Sequence, residues 1–360
     1  MKIAIIGAGN AGCVTALHYN YFLGKSCEID IYHSLDTHPI ERVGQGTLTS
    51  ITELFSDTLK INWYNNPIGA TIKTGVLYEN WGVKNDKIFH DFNMSDMAIH
   101  FVPQKLSQLV LHSGKFNSIE KEIIDPEKEI DAYIIFDCRG RHNRKKEEYD
   151  KLINPLNSVL LCKKSGKDDD LIYTRCVATP NGWTFVIPNI DSVSYGYLYN
   201  NIITSKSDAT EDFLSRFNLD QVDGEMVFEN YMAKDFYNGS RTIYQGNMYG
   251  FIEPMEATSL VIYRNLCRQS WDGIFKLNNW ESCNQKMRKL MIEIQNVILW
   301  HYQYGSKFDT PFWEYAKSLP FNPDDRFYMM LNDDKDSEPQ YGTWRKYNFD
   351  NWKNGVMIAK

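Results

Sequence analysis

The sequence predicts an α/β fold, on three observations. An apolar strand pattern, Lys2–Ile6, runs straight into a glycine-rich turn, Gly7-Ala8-Gly9-Asn10-Ala11-Gly12. A helical stretch over residues 11–21 and a second strand, Glu28–His33, follow at once, which makes a β-α-β opening. Short strand patterns with turn residues between them fill the middle of the chain, and helical spacing returns towards the carboxyl end. These describe a Rossmann-type fold with an interleaved mixed β-sheet region and a helical, partly irregular carboxyl-terminal part.

The elements follow in order. Residues 132–136 (Ala-Tyr-Ile-Ile-Phe) form another strand, ending at Asp137. Residues 163–170 (Lys-Lys-Ser-Gly-Lys-Asp-Asp-Asp) are a solvated polar loop. Residues 173–178, 184–187 and 194–199 read as sheet strands. Residues 255–271 read as a helix started by Pro254. Met287, Leu290, Met291, Ile294, Val297 and Ile298 recur at helical spacing, so a second long helix runs to about residue 302. The tail after Pro320, rich in Asp, Asn, Pro, Tyr and Trp, reads as an irregular wrap over the body.

Composition narrows the function. A net charge of −7 argues against a nucleic-acid or anionic-membrane surface. The apolar run at residues 2–6 is too short for a signal peptide or a membrane span, and nothing else reaches membrane-span length. The seven cysteines are odd in number and contain no Cys-x-x-Cys, so reduced thiols in the cytoplasm are expected, without a metal site. Aromatic residues make up 14% of the chain, enough to line a pocket as well as a core.

The turn carries the first chemistry. Gly7, Gly9 and Gly12 allow a sharp strand-to-helix turn, and Ala11 keeps its surface small. The backbone can then approach a pyrophosphate at the positive end of a helix. The strand before it and the helix after it supply the context that makes this a dinucleotide site. An acidic residue is expected at the end of the second strand to hold the ribose. His33 stands there instead, and offers a single acceptor nitrogen.

Gly182-Trp183-Thr184-Phe185-Val186-Ile187-Pro188 resembles the Trp-x-Trp-x-Ile-Pro signature of flavin-dependent halogenases, with Phe185 for the second tryptophan. Further segments match the tryptophan-halogenase-like family in the same order. Val43-Gly44-Gln45-Gly46-Thr47-Leu48 resembles its loop that straps over the flavin. Residues 72–81 (Ile-Lys-Thr-Gly-Val-Leu-Tyr-Glu-Asn-Trp) resemble the segment that bears its catalytic lysine, here Lys73. His90-Asp91-Phe92 resembles its substrate-pocket element. Residues 136–140 (Phe-Asp-Cys-Arg-Gly) resemble the strand end where Asp137 would meet FAD. Residues 251–259 (Phe-Ile-Glu-Pro-Met-Glu-Ala-Thr-Ser) resemble the element with its catalytic glutamate, here Glu256. Trp300-His301-Tyr302 and Asp309-Thr310-Pro311-Phe312-Trp313 match a late family segment. The resemblance covers residues 1 to about 315.

The resemblance implies a division into residues 1–280, an FAD-binding and halogenation module, and residues 281–360, a helical, wrapping segment packed on it. It implies FAD used as FADH2, with O2 and a halide ion as co-substrates. Gly7, Gly9, Ala11, Gly12, His33, Gly44, Gln45, Gly46, Thr47, Asp137, Trp183, Ile187 and Pro188 would contact the cofactor. Thr258 and Ser259 amides would hold halide, His90 and Phe92 would line the substrate pocket, and no residue would hold a metal. Hypohalous acid would pass to Lys73, whose pKa burial would lower, and Glu256 would take the proton lost by the arene. Outside such a motif, a lone lysine is usually a surface residue, and Glu256 could simply serve a helix dipole. His301, Trp271, Trp280, Trp300 and Trp313 read as structural.

The implied partners are a separate NAD(P)H-dependent flavin reductase and an aromatic small molecule, with homo-oligomerisation open. A flavin-dependent aromatic monooxygenase and a non-catalytic flavin-binding protein are the competing readings. Three departures bear on specificity. Gln45 replaces a glutamate, Ala257 replaces a serine, and Ser259 stands where glycine is common. With the serine hydroxyl gone, bromide or iodide is expected to be favoured over chloride. The carboxyl end is shorter than in tryptophan halogenases, which predicts an open arene pocket.

Overall fold

The computed structural model describes residues 1–34, 44–92, 98–141, 145–168, 170–277, 279–332 and 340–356. Val43, at the head of the strap motif, and Asp169, in the polar loop, lie outside them.

Lys2–Ile6 lies between Glu28–His33 and Ile134–Asp137, parallel to both. Asn117–Glu120 and Thr242–Tyr244 complete a five-stranded parallel sheet at its edges. Ile3, Ala4, Ile5 and Ile6 are all buried. Helices and loops cover both faces of such a sheet, so its strands read as continuous apolar runs. The first helix, Asn10–Leu23, buries every residue from Ala11 to Tyr19. It packs between the helices Thr49–Leu59 and Ser259–Asp272. The strand expected at 132–136 begins two residues later and includes Asp137.

A second sheet of seven strands carries the aromatic signature. Its order is Gly224–Val227, Ser158–Ser165, Ser192–Tyr199, Gly182–Pro188, Thr174–Thr179, Gly75–Glu79, Lys87–Asp91. All neighbours are antiparallel except Thr174–Thr179 and Gly75–Glu79. Register sets the faces. Cys176 pairs with Phe185 on one side and Tyr78 on the other, and Ala178 pairs with Trp183. Side chains alternate along a strand, so Val76, Tyr78, Thr174, Cys176, Trp183 and Phe185 share one face. A small antiparallel sheet of Gln45–Gly46, Ala98–Phe101 and Thr71–Lys73 joins the strap motif to the lysine motif.

The carboxyl-terminal part is more regular than its composition suggests. A long helix, Trp280–Gln303, is followed by helices Pro311–Ser318, Asp325–Asn332 and Lys346–Val356. Phe327 and Met330, then Phe349, Trp352 and Val356, lie three or four residues apart and are buried. That spacing gives each short helix one apolar face, which the polar composition hides. The helix expected at 255–271 starts only at Ser259. Among the described residues, no helix is long and apolar enough to cross a membrane.

Candidate functional site

One cavity of about 1310 Å³ joins the glycine-rich turn to the lysine and glutamate motifs. At one end it is bounded by Gly7, Gly9 and Ala11, with His33 and Glu120 further out. At the other end it reaches Lys73, Cys176, Glu256, Ala257 and Ser259. Gly44, Gln45, Gly46, Trp183, Phe185 and Ile187 form walls between the two ends.

The turn at the first end fits a pyrophosphate. Gly7 has φ +103°, and a Cβ there would lie 2.9 Å from the Cys138 carbonyl oxygen. A Cβ on Gly12 would lie 1.9 Å from the Gly7 carbonyl oxygen. Gly12 is therefore a packing residue that lets helix and strand close up, not a wall of the cavity. Gly9 caps the first helix without a side-chain bond, which leaves the amides of its first turn for an anion. The cavity exceeds the usual size of a small-ligand pocket, as an extended dinucleotide requires.

Sequence reasoning missed one polar group here. His33 pairs in register with Glu120 on the neighbouring strand and hydrogen-bonds Ser118 at 2.8 Å. Glu120 thus brings a carboxylate to the strand end where the second strand has none, and it borders the cavity. Only sheet pairing could reveal it, because the two residues are far apart in sequence.

Three other expected cofactor contacts lie behind the wall. Asp137 is buried, and Arg139 grips its carboxylate with Nε at 3.0 Å and a terminal nitrogen at 2.7 Å. Cys138, Arg139 and Gly140 border the cavity in its place. Thr47 uses its hydroxyl on Thr52, at 3.0 Å, and accepts the Ile99 amide at 2.9 Å. The Pro188 carbonyl accepts from the Thr71 hydroxyl at 3.0 Å. These groups brace the sheet and the strap.

Lys73 is 1% exposed. Its ammonium donates to the Thr47 carbonyl at 3.4 Å and lies 5.2 Å from the centre of the Phe92 ring. A Cβ on Gly46 would approach the Lys73 nitrogen to 3.1 Å, so the strap passes directly beside it. Burial pushes the Lys73 pKa down to about 8, and the nearby Glu256 carboxylate and Cys176 oppose that shift. Lys73 in turn adds to the burial that keeps His100 neutral.

Glu256 and Ala257 both adopt left-handed backbone, with φ of 65° and 51°. This turn ends the approach from Pro254 and swings the Glu256 side chain away from the following helix. Its Oε1 then sits 3.7 Å from His90 Nδ1 and 3.5 Å from His301 Nε2. Burial, with His301 close by, pushes the His90 pKa down to about 3, so its imidazole is neutral at pH 7. The structure thus pulls His301 out of the structural set and puts it against Glu256. Its place on a helix-buried position hid that role. Thr258, the N-terminal flank of the helix, is buried behind the cavity wall, whereas Ser259 reaches it.

His90 and Phe92 do not border this cavity. The carboxyl-terminal residues Trp344 and Trp352 pack against His90, with ring centres at 5.3 and 6.0 Å. The predicted openness fails because the helix Lys346–Val356 folds back onto the strand Lys87–Asp91.

The family model described as tryptophan halogenase matches residues 2–117 and 100–358. Tryptophan 7-halogenase KtzQ of Kutzneria sp. (strain 744) is 25% identical over 160 residues, 41% of this chain and 29% of that protein. Tryptophan 7-halogenase RebH of Lentzea aerocolonigenes is 24% identical over 207 residues, 52% of this chain and 39% of that protein. The matched stretch therefore spans well under half the length of these relatives. Among solved structures, a tryptophan 6-halogenase from Streptomyces toxytricini superposes with a TM-score of 0.84 at 18% identity, covering 99% of this chain and 90% of that one. BrvH, a flavin-dependent halogenase from Brevundimonas sp. BAL3, gives 0.83 at 16% identity, covering 99% and 89%. At such identities these structures establish the fold.

Proposed function

This chain belongs to the tryptophan halogenase family, and from that premise we propose that it is a flavin-dependent halogenase of an electron-rich aromatic acceptor. The observation that carries the proposal is the single cavity linking the dinucleotide turn to Lys73 and Glu256. A monooxygenase reading leaves a fully buried lysine at the far end of that cavity without a task.

FAD would lie with its pyrophosphate on Gly7 to Ala11, its ribose near His33 and Glu120, and its ring beneath Gly44 to Gly46. When bound and reduced, it supplies the electrons with which O2 oxidises halide to hypohalous acid. Trp183, Phe185 and Ile187 keep bulk water and organic molecules off that end. Ser259 and the first-turn amides beside it offer an anion site for halide.

Lys73 then holds hypohalous acid. As ammonium it donates to the oxygen, which makes the halogen more electrophilic; as free amine it accepts halogen directly. On the ammonium route the arene carbon bonds to halogen while the oxygen–halogen bond breaks and hydroxide takes the Lys73 proton to leave as water; on the amine route water has already left, the nitrogen–halogen bond breaks and the amine is released. Glu256 takes the proton from the arenium carbon. His90 and His301 flank its Oε1 at 3.7 and 3.5 Å. A separate flavin reductase supplies FADH2, and a cytosolic location accords with seven free cysteines.

The test supplies the purified chain with FAD, a flavin reductase, NADH, O2 and bromide, and offers indoles and phenols. Brominated product is expected from the native chain. Lys73→Ala should bind FAD normally and give no brominated product. Hydroxylated product, or bromination that persists in Lys73→Ala at a comparable rate, defeats the proposal.

A further inference from the structure

Behind the cavity wall lies a buried pair that halogenation does not use. Glu253 and Tyr302 are both 0% exposed, and neither borders the cavity. The Tyr302 hydroxyl donates to the Glu253 carboxylate, with its oxygen 2.9 and 3.0 Å from the two acceptor oxygens. Trp183 stands between the pair and the cavity. It is 0% exposed and forms part of the cavity wall. Its indole nitrogen is buried and closes no hydrogen bond among the described residues. It lies near enough to the pair to favour the charged form of each partner.

The pair suits the oxidation of a phenol. A phenol gives up an electron readily only when its proton leaves as well. Burial, the neighbouring Glu253 charge and its hydrogen bond keep the Tyr302 proton in place at rest. Burial pushes the Glu253 pKa up to about 8, against the pull of Tyr302, Asn154 and Trp183. Once ionised, Glu253 is therefore a stronger base than an ordinary carboxylate, and it already holds the Tyr302 hydrogen bond.

The surroundings offer that proton no second exit. The Trp81 and Trp313 rings lie 5.7 and 5.8 Å from the Tyr302 ring, centre to centre. Rings this close are in contact and keep water out. Their own N–H groups donate to the Cys176 and Thr179 carbonyls, at 3.0 and 2.8 Å, and backbone carbonyls hold no proton. A pair that only packed the core would need no carboxylate, since apolar residues of similar volume fill such a place at lower cost.

We infer that Trp183, Tyr302 and Glu253 form a relay that donates one electron to a strong oxidant in the cavity, and that photoexcited oxidised flavin is such an oxidant. The oxidant takes an electron from the Trp183 indole. Tyr302 returns an electron to Trp183, and its hydroxyl proton passes to the Glu253 carboxylate. The balance is one electron gained by the oxidant and one lost by Tyr302, which becomes a neutral phenoxyl radical. Glu253 becomes the acid, and Trp183 is restored. The relay draws stray one-electron oxidants away from Lys73 and Glu256. The inference rests on the reading of this cavity as a flavin site.

The test reads radicals, not product. The full chain with oxidised FAD and no reductase is flashed with blue light at pH 9, without oxygen. Transient absorption and electron paramagnetic resonance follow the radicals. An indole radical should decay as a phenoxyl radical rises, and the rise should slow in heavy water. Tyr302→Phe should keep the indole radical and give no phenoxyl radical. Glu253→Gln, which cannot take the proton, should lower the phenoxyl yield at least about tenfold. If that variant does not fold, Tyr302→Phe and the heavy-water measurement decide. A phenoxyl radical that survives in Tyr302→Phe, a yield unchanged in folded Glu253→Gln, or a rise indifferent to heavy water overturns the inference. FAD binding and bromination are measured on the same preparation. Bound FAD and brominated product without either radical overturn the relay and leave the halogenation reading standing. Both radicals without brominated product do the reverse, and a chain that binds no FAD defeats both.

Discussion

Lys73 holds an amine where water does not reach, and the protein is less stable for it. Its pKa falls from 10.5 to about 8 on folding. Below pH 8 both folded and unfolded chains carry the proton, so the full cost of burying the charge is present, about 3 kcal/mol by the size of the shift. Between pH 8 and 10.5 the folded chain has shed the proton and the unfolded chain still holds it, so stability rises with pH across that window. Lys73→Met, similar in volume and without charge, should therefore raise the unfolding free energy at pH 7 by about 1–3 kcal/mol while abolishing halogenation. Urea unfolding at pH 7 and pH 10 checks this, and a gap between variant and native chain that does not shrink at pH 10 contradicts it. The same pKa leaves about one Lys73 in ten as free amine at pH 7. If halogen passes through that amine, the Lys73-dependent rate should climb from pH 7 to 9 and then level off.

At the scale of the element, the turn before Ser259 is the decisive piece. Two successive non-glycine residues in left-handed backbone cost roughly 1–2 kcal/mol each. The neighbouring Glu253 holds the turn from the other side. It is fully buried, accepts the Tyr302 hydroxyl at 2.9 and 3.0 Å, and burial pushes its pKa up to about 8. Ala257→Gly should relieve strain and raise stability by about 1 kcal/mol. It should also let Glu256 wander from the two imidazoles, so kcat should fall while FAD affinity holds. A thermal melt with steady-state kinetics measures both, and a variant that is stabilised and fully active shows that the strain positions nothing. Ala257 also lacks the hydroxyl that a serine would bring to the halide end. Bromide or iodide should then outcompete chloride at equal concentrations, read from product masses.

For the whole molecule, the relevant fact is that strap and lysine share one small sheet, the glutamate comes from the turn before the helix Ser259–Asp272, and all three meet on one cavity. The small sheet brings Gly46 beside Lys73, and the helix bundle brings His301 to Glu256. No second Gly-x-Gly-x-x-Gly occurs in the sequence to bind NAD(P)H. Product should therefore require an added reductase; turnover with NADH and FAD alone, free of chemical flavin reduction, disproves this. Gly12→Ala tests the turn that anchors the cavity. With the Gly7 carbonyl 1.9 Å from the new carbon, FAD affinity should drop about a hundredfold or more, measured by flavin fluorescence.

The sequence by itself determined the opening β-α-β unit, the strands of the aromatic signature and the long helix, because each depends on local periodicity and turn chemistry. The motifs of Lys73 and Glu256 are contiguous and so were legible too, and both residues border the cavity. It did not reveal Glu120 beside His33, His301 beside Glu256, or Asp137 turned to Arg139. The first two are matters of strand pairing and helix packing between segments distant in the chain; the third joins residues two apart and depends on how the strand end turns. The carboxyl-terminal segment is the sharpest case. Its composition suggested an irregular wrap, and its shortness beside the family suggested an open pocket. Only the fold could decide that Trp344 and Trp352 turn inward, because that choice depends on the ring-lined space that His90, Tyr78 and His301 form once their strands and helix have come together.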